Sequence, residues 1–383
     1  MKIDDKTSHN SPSLRFPEFT GEWEESTIGK EFDLYSGNTP SRLNKEHFKG
    51  KVNWISSGEL KNHYIYSSKE QISEDAAKNL KLLPKGTFVI AIYGLEAEGV
   101  RGTGSITQEP STISQACMAF IPQGDIENEF LYSWYKKHGE VIGVRYAQGT
   151  KQQNLSYDIL EKFKIAYPSI KEQKKLNKFI ALLDERIAVQ SRLIEDLKKL
   201  SCAVSNKLFQ SVKGVVIPLS GISNIVKGKQ INGDFLADVG EYYVMNGGTE
   251  PSGYYDNYNV EANTISISEG GNSCGYVQFN RMPFWSGGHC YTIQDIVSDV
   301  ETLYLYHYLK SKEESIMELR IGTGLPNIQK KDLAEFKVII PAIEQQRTIS
   351  NILSLLERKT EVEGRMLIAM RTEKQYLIHQ MFI

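Results

Sequence analysis

Residues Gly149 to Phe209 recur as Gly322 to Phe382 at a constant offset of 173 positions, with no gap. Identities run through the whole alignment: Gly149-Thr150 with Gly322-Thr323, Asn154 with Asn327, Leu160, Phe163 and Lys164 with Leu333, Phe336 and Lys337. They continue with Pro168, Ile170 and Gln173 against Pro341, Ile343 and Gln346, and with Leu182-Leu183, Val189, Arg192 and Phe209 against Leu355-Leu356, Val362, Arg365 and Phe382. An internal repeat constrains the architecture before any local signal does. The chain reads as a duplicated unit, a globule followed by a long helix.

The helical part of each copy carries a seam. In the first, Leu176, Ile180, Leu183, Ile187, Ile194, Leu197, Val204 and Leu208 alternate spacings of four and three, the pattern of a coiled coil, with Gln190 and Ser201 as polar breaks. The second gives Ile349, Leu353, Leu356, Leu367, Met370, Leu377 and Met381, interrupted by Thr360, Glu363 and Lys374. A helix of some 40 residues is roughly 60 Å long and must bury its stripe against something. The obvious partner is its own repeat. A parallel, in-register pair would set Gln190 against Glu363 and Ser201 against Lys374, polar against polar. An antiparallel pair about a two-fold axis would set Gln190 and Ser201 opposite Leu367 and Leu356. Spacing alone leaves both open.

At 383 residues, with 40% hydrophobic and 24% charged, the chain should hold two cores of ordinary domain size. It has no apolar run long enough for a membrane span, and the polar start Met1-Lys2-Ile3-Asp4-Asp5 is unlike a signal peptide. The four cysteines, Cys117, Cys202, Cys274 and Cys290, lack metal-site spacing, so a reduced, cytoplasmic protein without structural zinc is expected. Charge is uneven. Residues 169–213 carry 10 basic and 5 acidic groups, whereas residues 214–341 carry 9 and 15, so attraction of the second globule to phosphate would have to be local.

In the first globule, Val52–Ser56 and Thr87–Tyr93 read as strands, Ser73 as the cap of a short helix through Leu80, residues 127–138 as a helix and Phe163–Tyr167 as a closing strand. The loop Ser36-Gly37-Asn38-Thr39-Pro40-Ser41-Arg42 is made of turn formers. In the second globule Val226-Lys227-Gly228-Lys229-Gln230 stands where Tyr35-Ser36-Gly37 stood, and Cys290 where Cys117 stood. Strands at Tyr242–Met245 and Thr264–Ser268 run into the turns Asn246-Gly247-Gly248 and Glu269-Gly270-Gly271-Asn272, and residues 301–319 match the earlier helix. Frames agree while loops diverge, as for two modules reading different targets; drift after duplication gives the same picture.

The search for catalytic chemistry returns negatives. There is no Pro-Pro pair for an amino-methyltransferase motif, and Val100 stands where a phosphate-binding loop beginning at Gly94 would need lysine. Glu59-Leu60-Lys61 lacks a Pro-Asp partner upstream and reads as a solvated loop. His289 and Cys290 are adjacent on a strand, so they point to opposite faces and form no dyad.

The opening Arg15-Phe16-Pro17-Glu18-Phe19 with Trp23-Glu24-Glu25, the Ser36–Pro40 loop, the helix starts Pro168–Gln173 and Pro341–Gln346, and the ending Gln380-Met381-Phe382 resemble the specificity subunit of type I restriction-modification systems, over essentially the whole chain. That resemblance implies an α+β fold: two mixed α/β target-recognition domains separated by a pair of long helices forming an antiparallel intramolecular coiled coil. The boundaries expected are residues 1–168, a first spacer helix 169–213, residues 214–341 and a second spacer helix 342–383. It also implies a non-catalytic chain that binds double-stranded DNA, two modification subunits carrying the S-adenosylmethionine, and two restriction subunits, with no cofactor of its own and no membrane. Loop residues would read the bases: Asn38, Thr39, Ser41, Arg42, Arg101, Lys151, Gln152 and Gln153 in the first domain, and Lys227, Lys229, Gln230, Asn246, Asn272 and His289 in the second. The alternative is a two-domain coiled-coil adaptor binding protein or glycan; an enzyme with an unrecognised site is a third reading.

Overall fold

The computed structural model describes residues 10–96, 99–149, 153–322, 324 and 326–383. The chain divides into two compact units, one running up to Val189 and including Leu367–Ile383, the other spanning Gln190–Met366.

The first unit opens with β1 (Glu24–Thr27), α1 (Ile28–Glu31) and β2 (Phe32–Ser36). An excursion follows through β3 (Val52–Ile55), β4 (Tyr64–Ile65), β5 (Glu70–Ile72) and α2 (Glu74–Ala77). Then come β6 (Phe88–Ala91), β7 (Gly104–Thr107), β8 (Ser111–Ile113), β9 (Cys117–Pro122), α3 (Asn128–Tyr146), α4 (Tyr157–Leu160) and β10 (Lys164–Tyr167). The main sheet has the order β2-β9-β6-β7-β4, and β5-β3-β8 and β1-β10 form two smaller sheets. Phe88, Val89, Ile90 and Ala91 are all fully buried, which explains why β6 is an unbroken apolar run rather than an alternating one. α3 continues eight residues beyond the expected end at 138. The glycines at 139 and 143 lack the Cβ that would strike the Tyr135 ring and the Arg101 methylenes, so the helix passes both. The stretch expected as a solvated loop is instead structural: Leu60 is fully buried, and Glu59 accepts from the Ser56 backbone at 2.9 Å and its hydroxyl at 2.6 Å.

From Ile170 the chain enters α5 (Ile170–Ser211). The second unit then contributes β11 (Val215–Pro218), β12 (Asn224–Lys227), β13 (Tyr242–Met245), β14 (Tyr254–Tyr255), β15 (Thr264–Ser268), β16 (Val277–Asn280), β17 (Trp285–Ser286) and β18 (Cys290–Gln294). α6 (Thr302–Ser311), α7 (Glu313–Met317), α8 (Lys330–Ala334) and β19 (Lys337–Ile340) follow, and α9 (Ile343–Met381) begins in this unit and ends in the first. Its sheets are β12-β18-β15-β16, β14-β13-β17 and β11-β19. The first of these repeats β2-β9-β6-β7 strand for strand, and parallel β13-β17 repeats parallel β3-β8. The helix expected over 301–319 breaks at Lys312 into α6 and α7.

Within the first unit Leu176 and Ile180, near the start of α5, share one core with Ile378, Met381 and Phe382 at the end of α9. Within the second, Phe209 and Val212 at the end of α5 share a core with Ile349 and Leu353 near the start of α9. The two helices therefore run antiparallel. Each globule is closed by a phenylalanine from the far end of the other repeat's helix: Phe382 lies 5.2 Å from Phe130, and Phe209 lies 5.5 Å from Tyr308. Along the seam Leu176, Ile180, Ile349 and Leu353 are buried, and Leu183, Ile187, Ile194, Leu197, Leu356, Leu367, Met370 and Leu377 are half-buried.

The register differs from the antiparallel one expected. Gln190 meets Glu363 rather than Leu367, its Nε2 donating to the Glu363 carboxylate at 2.6 Å and to its carbonyl at 3.1 Å. A buried amide opposite leucine would lose its hydrogen bonds to water without replacement, and sliding the helices until the two polar layers coincide removes that cost.

Two buried glutamines anchor the helices. Gln173 donates to the carbonyls of Asp125 (2.8 Å) and Pro168 (2.9 Å) and accepts from the Glu127 backbone (2.9 Å). Gln346 does the same with Asp299, Pro341 and Glu301.

Candidate nucleic-acid interface

In each unit several of the loops nominated above lie at one end of the main sheet. In the first, the backbone nitrogen of Gly37, just after β2, donates to the Cys117 carbonyl, that of Asn38 to Ile113, and that of Ile92, just after β6, to Ala116. In the second the same contacts recur: Gly228 to Cys290, Lys229 to Ser286, and Glu269 to His289. Glycine is required at both turns, because a Cβ on Gly37 would lie 2.1 Å from the Ile113 carbonyl oxygen and one on Gly228 2.2 Å from that of Gly287.

Asn38 is exposed, but its side chain accepts from the Thr39 backbone at 2.8 Å and its carbonyl accepts from the Trp54 indole at 3.0 Å, which makes it the organiser of its own turn. Thr39 is half-buried and Ser41 exposed. Arg42 is exposed and held flat, its guanidinium paired in a fork with Glu70 at 2.9 and 2.7 Å and lying 4.5 Å from the Phe48 ring centroid. Arg101 is half-buried and donates to Gln153 at 2.7 Å, and its buried Nε has no hydrogen-bond partner among the described residues. The Gln153 backbone in turn donates to Glu96 at 2.8 Å. Arg101 and Gln153 thus come together, while Arg42 belongs to the separate 42–70 excursion. Lys151 and Gln152 lie outside the described residues.

The second unit assembles its candidates more tightly. Asn246 accepts from the His289 backbone at 3.2 Å, the carbonyl of Lys229 accepts from the Trp285 indole at 2.9 Å, and Gln230 is exposed. Asn272 is exposed beside Gly271, whose φ of +75° marks the turn. At the centre lies Glu269, unnoticed in the sequence as anything but a turn residue. Its Oε1 accepts from Lys227 Nζ at 2.6 Å and from the Tyr291 hydroxyl at 3.1 Å, and His289 Nδ1 lies 3.8 Å from its Oε2. Its only sequence signal is an acid inside a Gly-rich turn directly after a buried strand.

A second missed cluster braces the first unit. His63 is sandwiched between Tyr64 and Tyr132, with centroids at 4.0 and 3.9 Å. Its Nε2 meets Glu129 at 2.9 Å, and its Nδ1 lies 3.6 Å from Asp184, which also pairs with Lys374. Burial works to lower the His63 pKa, but the carboxylates of Asp184 and Glu129 outweigh it and hold it above its ordinary value.

His289, expected on one strand with Cys290, lies instead exposed in the turn before β18, whose first residue Cys290 is buried; β18 is buried at four successive residues, so burial rather than strand alternation separates the pair. Among the described residues no group of three or more His, Cys, Asp or Glu side chains could hold a metal ion, and no helix is long and apolar enough to cross a membrane.

The sequence profile described as the type I restriction modification DNA specificity domain matches residues 20–199 and again residues 212–369. The chain belongs to that family.

Among relatives of this specificity-domain protein, the EcoR124I/EcoR124II type I restriction enzyme specificity subunit of Escherichia coli is 30% identical over 191 residues, 49% of this chain and 46% of that one. The EcoprrI specificity subunit, also of Escherichia coli, is 23% identical over 365 residues, 87% of each chain. A Mycoplasma pneumoniae protein provisionally assigned as a type I specificity subunit is 31% identical over 166 residues, covering 43% of this chain and 44% of that one. The chain therefore spans about half the length of several curated relatives it matches. In fold it is similar to the S subunit of a type I restriction-modification system from M. genitalium, with a TM-score of 0.64 over 97% of this chain and 99% of that one at 21% identity.

Proposed function

We propose that the chain is the DNA sequence-specificity subunit of a type I restriction-modification complex and has no catalytic activity of its own. Residues 1–168 and 214–341 are the two target-recognition domains, each reading one half of a bipartite site in double-stranded DNA. Residues 169–213 and 342–383 are the spacer helices. The observation that carries this reading is the double match of one specificity-domain family to both halves of a chain whose two units repeat the same strand order. Loops at one end of each sheet offer donors and acceptors suited to base edges, and their side chains differ between the units while the frame does not.

On this reading the chemistry belongs to partners: two modification subunits, which carry S-adenosylmethionine, and two restriction subunits, all in the cytoplasm. Selection from a randomised duplex library by the chain assembled with modification subunits of the same host tests the proposal. Enrichment of one bipartite sequence is expected, and exchange of residues 214–341 for another such domain should alter one half of it. Enrichment of no sequence, or methyl transfer by the isolated chain, would overturn it.

A further inference from the structure

The Lys227–Glu269–Tyr291–His289 network exists in one unit only. Strand pairing fixes its counterparts in the other: Lys227 faces Tyr291 across β12–β18 as Ser36 faces Met118 across β2–β9. Ser268 pairs with Cys290 as Ala91 pairs with Cys117, so Glu269 corresponds to Ile92. The Glu269 backbone donates to the His289 carbonyl at 2.9 Å just as Ile92 donates to Ala116 at 2.9 Å, which matches His289 with Ala116. Where the second unit has lysine, glutamate, tyrosine and histidine, the first therefore has Ser36, Ile92, Met118 and Ala116. The frame folds without these four polar groups, so a structural demand common to both units does not account for them.

The geometry has a direction. The Glu269 side chain is 10% exposed, while those of Lys227 and His289 are 52% and 64% exposed. One carboxylate oxygen is occupied by Lys227 and Tyr291; the other, Oε2, is buried and accepts no hydrogen bond from the described residues, with the His289 ring 3.8 Å away. A buried acid thus lies 2.6 and 3.8 Å from two exposed donors, one on each carboxylate oxygen, at the loop-bearing end of the sheet. Lys227 spends one of its three N–H groups on Glu269 and keeps two. Its positive charge is cancelled by Glu269, and residues 214–341 carry 9 basic against 15 acidic groups. A neutralised lysine in an acidic domain is poorly suited to gripping phosphate, whose attraction depends on net charge. It is well suited to directional hydrogen bonding. In the major groove only guanine presents two adjacent acceptors, N7 and O6, on one base.

We propose that Lys227 and His289, oriented by Glu269, are a paired donor that reads the N7 and O6 acceptors of a guanine in the half-site recognised by the second unit. This rests on the DNA-specificity reading above and names a base class within it. Lys227 and His289 touch the base; Glu269 is a positioning residue.

The test uses the full chain assembled with modification subunits, first selecting the wild-type target from a randomised duplex library. Lys227→Ala and His289→Ala should relax one guanine position in the second half-site and leave the first half-site unchanged. Glu269→Gln, which keeps the shape but loses the charge that holds Lys227, should relax the same position. Placing 7-deazaguanine there should weaken wild-type binding by about tenfold, within the range of one bidentate base contact, and have little effect on Lys227→Ala. Inosine, which keeps N7 and O6, should bind like guanine.

A wild-type target without guanine in that half-site, or variants that keep the target unchanged, would overturn the proposal and leave the specificity reading intact. So would uniform weakening across all sequences with a shallower salt dependence, the mark of a phosphate contact. Failure of the wild type to select any bipartite sequence would overturn both.

Discussion

Gln190 and Glu363 occupy the same position in the two repeats, 173 residues apart, and their side chains are hydrogen-bonded to each other at 2.6 Å. In an antiparallel pair generated by duplication, a residue meets its own repeat mate only at the pseudo-two-fold axis, so this contact marks where that axis crosses the seam. A polar pair there opposes sliding, since a shift of one helical turn that sets Gln190 against Leu367 also sets Glu363 against Ile194 and leaves both polar groups facing apolar side chains. Gln190→Ala is expected to lower the thermal midpoint by about 2–4 °C, as the lost hydrogen bond leaves Glu363 one donor short. Leucine at both positions should raise the midpoint and loosen the register. Circular dichroism melts check the first effect, and cysteine cross-linking along the seam the second.

The His63 brace makes stability pH-dependent with a defined sign. Its pKa is raised in the folded chain from an ordinary value of 6.5. The contribution is therefore fully present below that ordinary value and is lost as pH rises through the raised one. Asp184 is pulled the other way: burial pushes its pKa up, but His63 and Lys374 outweigh this and hold it below the usual carboxylate range. Its contribution is present above its unfolded pKa and fades as pH falls through the depressed value. Denaturation midpoints should decline as pH rises above 6.5 towards the raised value, and His63→Phe, which keeps the stack between Tyr64 and Tyr132, should flatten that decline. An unchanged slope in the variant would refute the assignment.

Gln173 and Gln346 each close three hydrogen bonds where a long helix meets its globule. Gln173→Ala leaves two carbonyls and one N–H buried without partners and should cost about 2–4 kcal/mol in chemical denaturation. Gln173→Glu should also destabilise, because a carboxylate cannot donate to the Asp125 and Pro168 carbonyls. The matching Gln346 variants should behave alike.

Thiol labelling of the native chain should modify Cys202 alone. Cys202 is exposed, whereas Cys117, Cys274 and Cys290 are buried. Burial pushes the Cys117 thiol up to about 12 and Cys290 to about 11, so little thiolate is present at neutral pH. Mass spectrometry of peptides after brief alkylation checks this, and labelling of all four in denaturant is the control.

The duplication, the heptad seam and the start of each long helix were legible from residue order, because periodicity and repetition are properties of a segment read along itself. Gly37 and Gly228 could likewise be matched, since a turn that admits no Cβ leaves its mark at a single position. The heptad stripe itself carried neither direction nor register, since it looks the same to a parallel and to an antiparallel partner; the antiparallel direction came only from the family resemblance, and the register expected with it was wrong. The choice is made by what lies at the ends, where Phe382 enters the core around Phe130 and Phe209 the core around Tyr304 and Tyr308. Nor could order along the chain bring Glu269 to Lys227, 42 residues away, with His289 beside them. That meeting depends on β12, β18 and β15 lying side by side, and strand pairing, unlike helix formation, is decided by contacts between segments that carry no local record of one another.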